Sequence, residues 1–551
     1  MKKGENMKNM NKLFTLLVAS SLFALTSCIE ETFPENETAT AEQIAESSSA
    51  LEAAVNGIPS QMSQGYYVYG EQTHETDMAF PQFMIAQTEL LGDMYPEGSN
   101  SGYDWYRNYN TIDRSFGKNS YFAYLPWFTL YKFVKASNDV IGAVDIEGEG
   151  VSDQMKALAG AAYACRAFDY FMLMVFWEPA SNIYTDCSKV MGLTVPIVTE
   201  ATTGEDSKQN PRVTHDEMIK FILSDLDKAE AALAKYDLGN PNLPNLSVVY
   251  GIKAKTYLWD EQYDKAAEYA QKAIDQSGKR PMTEDEWTNP TTGFAQAAGS
   301  WMWYLHYSPE MMGNLCNFTG WMSGEADWGY SSLTFPSIDR SLYDRIGETD
   351  FRKNVFLNPD KFDYYNYQTV RDRQYIEDAP AYLALKFRCL SGDWETYSVG
   401  GAIDVPVMRV EEMYLIKALA VGKTQGVAAG AALLNSFVST YRDPAYNFVS
   451  SNERSFELEV MWQMRIEFWG EGEGFPIAKK LKPGVMQNYA GTNAPSNIFK
   501  VNFEGIKPNW NFVIPQYEID SNPTLDETNN PDPSETFTAP AEEGVYFPGN
   551  N

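Results

Sequence analysis

Residues 246–277 (LSVVYGIKAKTYLWDEQYDKAAEYAQKAIDQS) carry the pattern that most restricts the fold of this chain. Six aromatic or small residues recur at helical spacing on either side of a short polar turn: Tyr250, Ala254, Tyr257, Ala266, Ala270 and Ala273. Small Ala side chains let two antiparallel helices approach closely, and Tyr fills the gap beside them. A single helical hairpin of this kind cannot bury its own apolar face, so we expect further helices to stack on it.

This spacing is that of a tetratricopeptide repeat, and residues 407–421 and 427–441 predict a second pair. Hydrophobic periodicity predicts further helices at about 41–57, 121–143 and 454–470, and one that runs from a Ser152 cap to about Trp177. Thr214, with Glu217 three residues later, forms the capping box of another helix, whose first-turn His215 is expected at the surface. An aromatic-rich stretch up to about residue 118 and a connection over 178–212 are expected to be loop-like. The fold class that follows is dominated by α-helix.

The helical period disappears between about 281 and 400, where Gly, Pro, Ser, Asp and aromatic residues dominate. This composition predicts a loop-rich lobe inserted into a helical frame that covers about 43–280 and 401–520. Residues 521–551 are rich in Pro, Asn and Glu, which predicts an extended tail.

The N-terminus has the order of features of a bacterial export signal. A basic stretch with Lys8 and Lys12 precedes 13 apolar residues at 13–25, which are too few to span a bilayer as a helix. Leu25-Thr26-Ser27-Cys28 then resembles a lipobox, so residues 1–27 are expected to be removed and Cys28 to carry a diacylglycerol and acyl chains. Residues 28–42 predict a flexible tether, and the membrane is expected to be reached through the lipid alone.

The net charge of the chain argues against a nucleic-acid partner, and its cysteines argue against a disulfide framework or a zinc site. With 43 Lys and Arg against 74 Asp and Glu, the net charge is −31, which disfavours nucleic acid. The four cysteines after Cys28 are too dispersed for a disulfide framework or a zinc site, so we expect buried thiols. No motif for a metal, a nucleotide or a catalytic nucleophile is present in the sequence, and no cofactor is expected apart from the lipid anchor.

Tryptophan is concentrated in one part of the predicted lobe. Five of the 13 tryptophans fall between 287 and 328, among polar and Gly-rich neighbours. Flat rings beside amides and carboxylates suit a sugar, whose C–H face stacks on the ring while its hydroxyls form hydrogen bonds. A second segment at 98–110 has the same character. The sequence therefore predicts a ligand-binding aromatic platform formed by Tyr103, Trp105, Trp301, Trp303, Trp321, Trp328 and Tyr330; the alternative is that these rings fill a core under long loops.

Motifs along almost the whole chain together resemble the SusD/RagB family of outer-membrane lipoproteins of Bacteroidetes. They begin with Cys28, Glu30 and Glu31 and continue with segments at 50–62, 90–98, 162–184, 195–198, 213–233, 335–354, 404–418 and 511–529. The stretch QMRIEFWGEGEGFPIAKKL (463–481) departs from the family pattern, because Gln463 and Met464 replace an acid–base pair. This departure implies a local repacking.

The resemblance implies a fold of tetratricopeptide-like helical pairs in a right-handed superhelix that carries a variable ligand-binding lobe. It implies no catalysis, a position on the outer membrane facing the cell exterior, and a SusC-like TonB-dependent barrel as partner, which the protein caps as a lid. The expected function is binding of an oligo- or polysaccharide and its delivery to that barrel. Ligand-contacting residues differ between members, so none is carried over from the family.

Three alternatives remain open at this point. In the first, the chain is an oligopeptide-binding lid of a RagAB-type importer, and its negative charge would favour basic or neutral peptides. In the second, it is a surface hydrolase, because the separation of paired carboxylates is a three-dimensional property that the sequence does not give. In the third, it is an assembly scaffold that uses the repeat groove without a small ligand.

Overall fold

Helices form the frame of the molecule, in two groups separated by shorter elements. The computed structural model describes residues 47–65, 67–69, 72–73, 78–96, 105–110, 116–312, 315–359 and 368–536. The first group contains α1 (Ser48–Ser63), α2 (Pro81–Leu91), α3 (Arg107–Asn110), α4 (Tyr121–Ile141), α5 (Asp153–Trp177), α6 (His215–Leu233), α7 (Leu246–Trp259) and α8 (Tyr263–Ser277). Short helices follow: α9 (Glu284–Thr288), α10 (Phe318–Met322), α11 (Arg340–Tyr343), α12 (Arg373–Asp378) and α13 (Tyr397–Gly400). The second group contains α14 (Val410–Gln425), α15 (Val427–Tyr441), α16 (Glu453–Glu467) and α17 (Gly474–Leu481), and α18 (Gln516–Ser521) and α19 (Pro533–Thr536) come last.

The predicted helical hairpins are confirmed and stack in a continuous row. Helix α4 packs on α5, α5 on α6, α6 on α7 and α7 on α8; α8 then packs on α14 and α14 on α15, across the intervening lobe. Ala254, Ala266, Ala270 and Ala273 are fully buried where the helices meet. Tyr257 stacks on Tyr269 with ring centroids 5.4 Å apart, which fills the space beside the small residues. The row explains how a hairpin that could not bury its own face becomes stable.

Side-chain caps set the starts of the long helices. Ser152 accepts a hydrogen bond from the Met155 N–H, and Thr214 and Glu217 form the predicted capping box of α6. Helix α5 satisfies the length and hydropathy of a membrane span, but every residue of its most apolar stretch is buried inside the protein, so it is the central core helix. Cys165, Cys187 and Cys389 carry free, buried thiols, as expected, and Cys316 is half-buried.

One expectation for the N-terminal part of the body was wrong. The helix predicted at 41–57 is confirmed from residue 48 onward by Ser48–Ser63, which begins at a Ser47 cap, and 41–46 lie outside the described residues. Residues 81–91, expected in a loop-like stretch, form α2, in which every residue is buried. A helix that is buried on all sides has no polar face and therefore no amphipathic period to reveal it. Pro81 at its first position and Gly92, which ends it with a φ of 72°, were the available signals.

The predicted loop-rich stretch, 281–400, contains only short elements where it is described. Across all the described ranges, the strands are β1 (Tyr67–Tyr69), β2 (Gln72–Thr73), β3 (Met94–Pro96), β4 (Trp301–His306), β5 (Pro336–Ile338), β6 (Asp404–Arg409), β7 (Val485–Met486) and β8 (Asn502–Phe503). They pair as four antiparallel ribbons, β1–β2, β3–β5, β4–β6 and β7–β8. Because β6 runs directly into α14, the β4–β6 ribbon ties the lobe to the second hairpin.

A buried ionic cluster joins the C-terminal helices to the lobe. The carboxylate of Glu467, at the end of α16, accepts hydrogen bonds from Arg352 (3.0 Å), Arg409 (3.1 Å) and Arg442 (2.7 Å). Burial alone would raise the pKa of Glu467, but the three guanidinium groups hold it well below its usual range. Gln463, the departure noted in the sequence, accepts from Arg352 at 2.8 Å, so the local repacking keeps the cluster bonded.

The predicted tail, where it is described, is docked on the body. Asn530 is buried and donates to the carbonyls of Trp177 (2.8 Å) and Phe512 (2.7 Å). Arg212 donates to the carbonyl of Thr528 and, at 2.9 Å, to that of Trp177. The end of α5 therefore holds both the 178–212 connection and residues up to 536, while 537–551 lie outside the described residues.

Candidate functional site

Five of the seven predicted platform rings lie in the core, which corrects their assignment as a stacking surface. Trp301, Trp303, Trp321, Trp328 and Tyr330 are all buried. Trp303 has no exposed surface: its ring meets Phe168 of α5 edge-on at 5.1 Å, and its Nε1 donates to the Asn242 carbonyl at 2.9 Å. Rings on β4 face the helical frame because the β4–β6 ribbon lies against it, and the sequence could not show this.

The two aromatic segments singled out in the sequence do meet, but their rings pack against each other. Trp321 stacks on Tyr330 with centroids 4.3 Å apart, and Tyr106 of the 98–110 segment packs edge-on against Trp321 at 5.1 Å. Trp328 belongs to a small cluster with Ala326 and Cys389. Trp105 is half-buried and packs against the core, and Tyr103 lies outside the described residues.

An open cavity of about 190 Å³ lies in the lobe, where β4 and α10 meet the turn before β6. Its walls are mostly apolar, and the lining residues used below are Met78, Tyr307, Met311, Met312, Cys316, Asn317, Phe318 and Ile403. The sequence argument missed this cavity because its lining is drawn from three separate segments and contains no tryptophan, the residue on which that argument depended. Apolar walls with a few polar groups are typical of small-molecule sites.

Exposed apolar side chains lie close to this cavity along the chain. Leu315 is next to Cys316, and Tyr397, which is 36% exposed, begins the short helix α13. The Gly401 N–H, at the cavity wall, donates to the Tyr397 carbonyl at 3.0 Å, so α13 leads directly into the cavity lining. Val399 is exposed on the same turn. Leu315, Tyr397 and Val399, which adjoin the lining along the chain, are called the exposed rim below, and they include one aromatic ring.

A cation enclosed by two rings lies elsewhere in the lobe. The Arg371 guanidinium is 3.7 Å from the ring centroid of Tyr375 and 3.9 Å from that of Trp394. Its Nη1 donates to the Glu325 carbonyl at 2.8 Å, and burial raises the pKa of Tyr375 to about 12. All three side chains are half-buried. Trp394 lies in the lobe but outside the tryptophan-rich segment 287–328. Its side chain is more exposed to solvent than the buried tryptophans of that segment.

A second cavity, of about 310 Å³, lies on the hairpin side of the molecule between α7, α14, α16 and α17. Lys255 forms ion pairs with Glu412 (2.8 Å) and Glu473 at its wall. Burial, reinforced by the charge of Glu473, raises the pKa of Glu412, and Lys255 opposes this rise. Lys480 lies over the Trp259 ring at 4.5 Å, and Lys423 pairs with Glu457 at 2.6 Å. Apolar walls and paired charges of both signs suit contact with another protein.

His215 is not the surface residue that the sequence suggested. Its Nδ1 lies 2.9 Å from Glu178, at the end of α5, and its Nε2 lies 3.0 Å from Asp260, at the end of α7. Because both partners are carboxylates, both ring nitrogens donate, which requires the protonated ring. The bond to Glu178 is the main cause of a pKa raised to about 9. Among the described residues, no group of three or more His, Cys, Asp or Glu side chains could hold a metal ion.

Comparison with known proteins identifies what this arrangement is similar to. Residues 60–258 match the family model SusD-like_3, described as "Starch-binding associating with outer membrane". No curated protein matches the sequence.

Several solved structures share the fold. A SusD-like carbohydrate-binding protein from Bacteroides vulgatus has a TM-score of 0.69 at 19% identity, over 88% of this chain and 98% of that chain. A SusD superfamily protein from Bacteroides thetaiotaomicron has 0.67 at 18%, over 88% and 100%. A laminarin-binding SusD-like protein has 0.60 at 17%, over 88% and 98%. At these identities the likeness shows the fold, and the predicted helix-dominated, SusD-like architecture is confirmed.

Proposed function

The chain is a SusD-like protein, and from this we propose that it is a lipid-anchored outer-membrane protein that binds glycan and delivers it to a SusC-like TonB-dependent barrel. The observation that carries the proposal is the match of residues 60–258 to a family described as starch-binding and associated with the outer membrane. Two structurally similar proteins, one a carbohydrate-binding and one a laminarin-binding SusD-like protein, support the ligand class.

The ligand surface that we propose is the lobe cavity with its exposed rim. The open cavity offers a mostly apolar volume, and the rim offers Tyr397 as an exposed ring for stacking. This arrangement suits a polymer that lies along the surface and places one unit against the opening. Stacking on one exposed ring contributes about 0.5–1.5 kcal/mol, which suits a protein that must release its ligand again.

The barrel is proposed to meet the hairpin side of the molecule. The cavity between α7, α14, α16 and α17 and its paired charges lie on this side. The lipid anchor at Cys28 is part of the same proposal and lies outside the described residues. Metabolic labelling with a palmitate analogue should mark the wild-type chain and fail to mark Cys28→Ala.

Affinity electrophoresis tests glycan binding. The chain from residue 29 onward is run in native gels that contain one polysaccharide each, from starch to β-glucans and hemicelluloses. We expect one class of polymer to retard the band. Tyr397→Ala should then weaken retardation about two- to tenfold in apparent affinity.

Tyr236→Ala is the matched control, because Tyr236 is 39% exposed and follows α6, outside the lobe. It should migrate like the wild type. Retardation by no polymer in a broad panel, with a folded protein, would contradict glycan binding and favour the oligopeptide alternative. Co-purification of a TonB-dependent barrel with the tagged full-length chain tests the partnership needed for delivery. If no barrel co-purifies from membranes that contain such barrels, the proposed partnership is contradicted.

A further inference from the structure

The lobe cavity has an unusual concentration of sulfur. Met78, Met311, Met312 and Cys316 all line it, together with the ring of Phe318. Thioether sulfur forms favourable contacts with aromatic rings, and methionine adapts its shape to flat groups. A plain sugar ring carries hydroxyls on every side, and the sulfur-rich part of the lining offers them no strong hydrogen-bond partner.

The volume of the cavity matches one aromatic ring. An apolar cavity of about 150 Å³ holds a benzene molecule, and this cavity measures about 190 Å³. Most of the lining is buried, but Met311 and Cys316 are half-buried and Gly65 is exposed, which marks the mouth. A ring can therefore enter while the group that carries it remains outside, beside Leu315 and Tyr397.

One polar group faces this apolar volume without a partner. Tyr307 lines the cavity and is buried, and its hydroxyl has no hydrogen-bond partner among the described residues. The neighbouring Ser63 donates its only hydroxyl proton to the Pro59 carbonyl at 2.8 Å, so it has none left for the Tyr307 oxygen, whose acceptor lone pairs stay unpaired. Burial raises the pKa of Tyr307 well above its ordinary value, so the phenol stays neutral and can donate. A buried unpaired hydroxyl is costly, and a bound ligand with an oxygen on its ring would relieve it.

We propose that this cavity binds an aromatic acyl substituent of the glycan, a phenolic ring attached through an ester, with its ring oxygen bonded to Tyr307. The proposal rests on the proposed glycan-binding function and narrows its ligand to polymers that carry such substituents. The sugar chain lies on the rim, and the substituent occupies the cavity. Selectivity for the esterified polymer then comes from the sulfur-rich walls.

Calorimetry on the full-length protein in detergent tests the proposal with defined probes. The first probe pair is phenol against cyclohexanol, and the second is a feruloylated arabinoxylan oligosaccharide against the same oligosaccharide after alkaline removal of the ester. We expect phenol to bind and cyclohexanol to bind at least about fivefold more weakly. The esterified oligosaccharide should bind at least about tenfold more tightly than its de-esterified form.

Three variants separate the cavity from general effects. Tyr307→Phe, which removes one oxygen, should weaken phenol about three- to tenfold, in proportion to one hydrogen bond. Met311→Trp, at the half-buried mouth, should fill the cavity and abolish phenol binding. Tyr304→Phe is the matched control: it lies three residues earlier on β4, outside the cavity lining, and should leave phenol binding unchanged.

The outcomes distinguish this inference from the function on which it rests. Equal binding of both oligosaccharides would overturn the inference and leave glycan binding intact. Phenol binding that Tyr307→Phe weakens would support the cavity chemistry even if neither oligosaccharide bound, and the proposed function would then need another ligand. Absence of phenol binding to the wild type would overturn the inference.

Discussion

The charged His215 is predicted to hold three helices together, and its removal should destabilise the protein in a pH-dependent way. The imidazolium bridges Glu178 at the end of α5 and Asp260 at the end of α7 from the first turn of α6. The Glu178 carboxylate also accepts from Trp259 Nε1 at 2.8 Å. Burial opposes the charge of Glu178, but the bond to His215 holds its pKa below the usual range.

The raised pKa of His215 sets the size and the pH window of the effect. Its value of about 9, against an ordinary 6.5, corresponds to roughly 3 kcal/mol of folding free energy. The side chain is 20% exposed, so solvent screening reduces this to about 2 kcal/mol. Because the folded pKa lies above the unfolded one, this stabilisation is complete below about pH 6.5 and is lost as the pH rises through about 9.

Urea denaturation of the wild type and of His215→Gln, each at pH 6 and pH 10, measures this stabilisation. The variant should be less stable by about 2 kcal/mol at pH 6 and by less than about 1 kcal/mol at pH 10. Titrating groups that do not contact His215 are common to both proteins and cancel in the difference, and its partners Glu178 and Asp260 change with it. His306→Gln is the control: His306 is 61% exposed and pairs with Asp404, so its loss should change the stability at pH 6 by less than about 0.5 kcal/mol. A difference between wild type and His215→Gln that does not change with pH would refute the reasoning.

Three further changes test the packing that positions the site. Trp303→Ala should lower the free energy of unfolding by about 3–5 kcal/mol in urea, because the ring is fully buried; unchanged stability with lost glycan binding would contradict its place in the core. Glu467→Ala should cost about 3–5 kcal/mol by leaving three arginines without their shared partner, and a loss below about 1 kcal/mol would show that they pair elsewhere. Gly422→Ala should destabilise the second hairpin by about 1–3 kcal/mol, because the new Cβ would lie 2.1 Å from the Phe456 ring. Gly57→Ala is the control: its Cβ would meet nothing within 4 Å, so it should stabilise α1 by up to about 1 kcal/mol. Equal melting temperatures for the two variants would contradict this packing.

The sequence predicted the frame well because the relevant signals are local. The capping box at Thr214 and the Ala spacing over 254–273 depend on residues one or two helical turns apart, and the structure confirms both. Helix α2 was missed because complete burial removes the polar face on which the prediction depends. The partners of His215 were also hidden, since Glu178 and Asp260 lie 37 and 45 residues away in the sequence.

The aromatic cluster shows what composition alone could and could not determine. Tryptophan is concentrated in residues 287–328, which singled this segment out for attention. A ring that stacks on a ligand and a ring that stacks on another ring, however, have the same sequence signature. The tertiary structure shows that these rings contact other rings of the protein: Trp321 stacks on Tyr330, and Trp303 packs against Phe168 of α5. The cavity that remains is lined by residues from 63 to 405, brought together only when the lobe packs on the frame.

The sequence by itself determined the helical hairpins, their caps and the loop-rich stretch between them, and it predicted the SusD-like architecture. These follow from backbone hydrogen bonding and from apolar periodicity, which act over a few residues. Only the tertiary structure decided which rings are buried, which charges are paired and where an apolar volume stays open. Those properties depend on how surfaces distant in the chain fit together, and no local pattern encodes that fit.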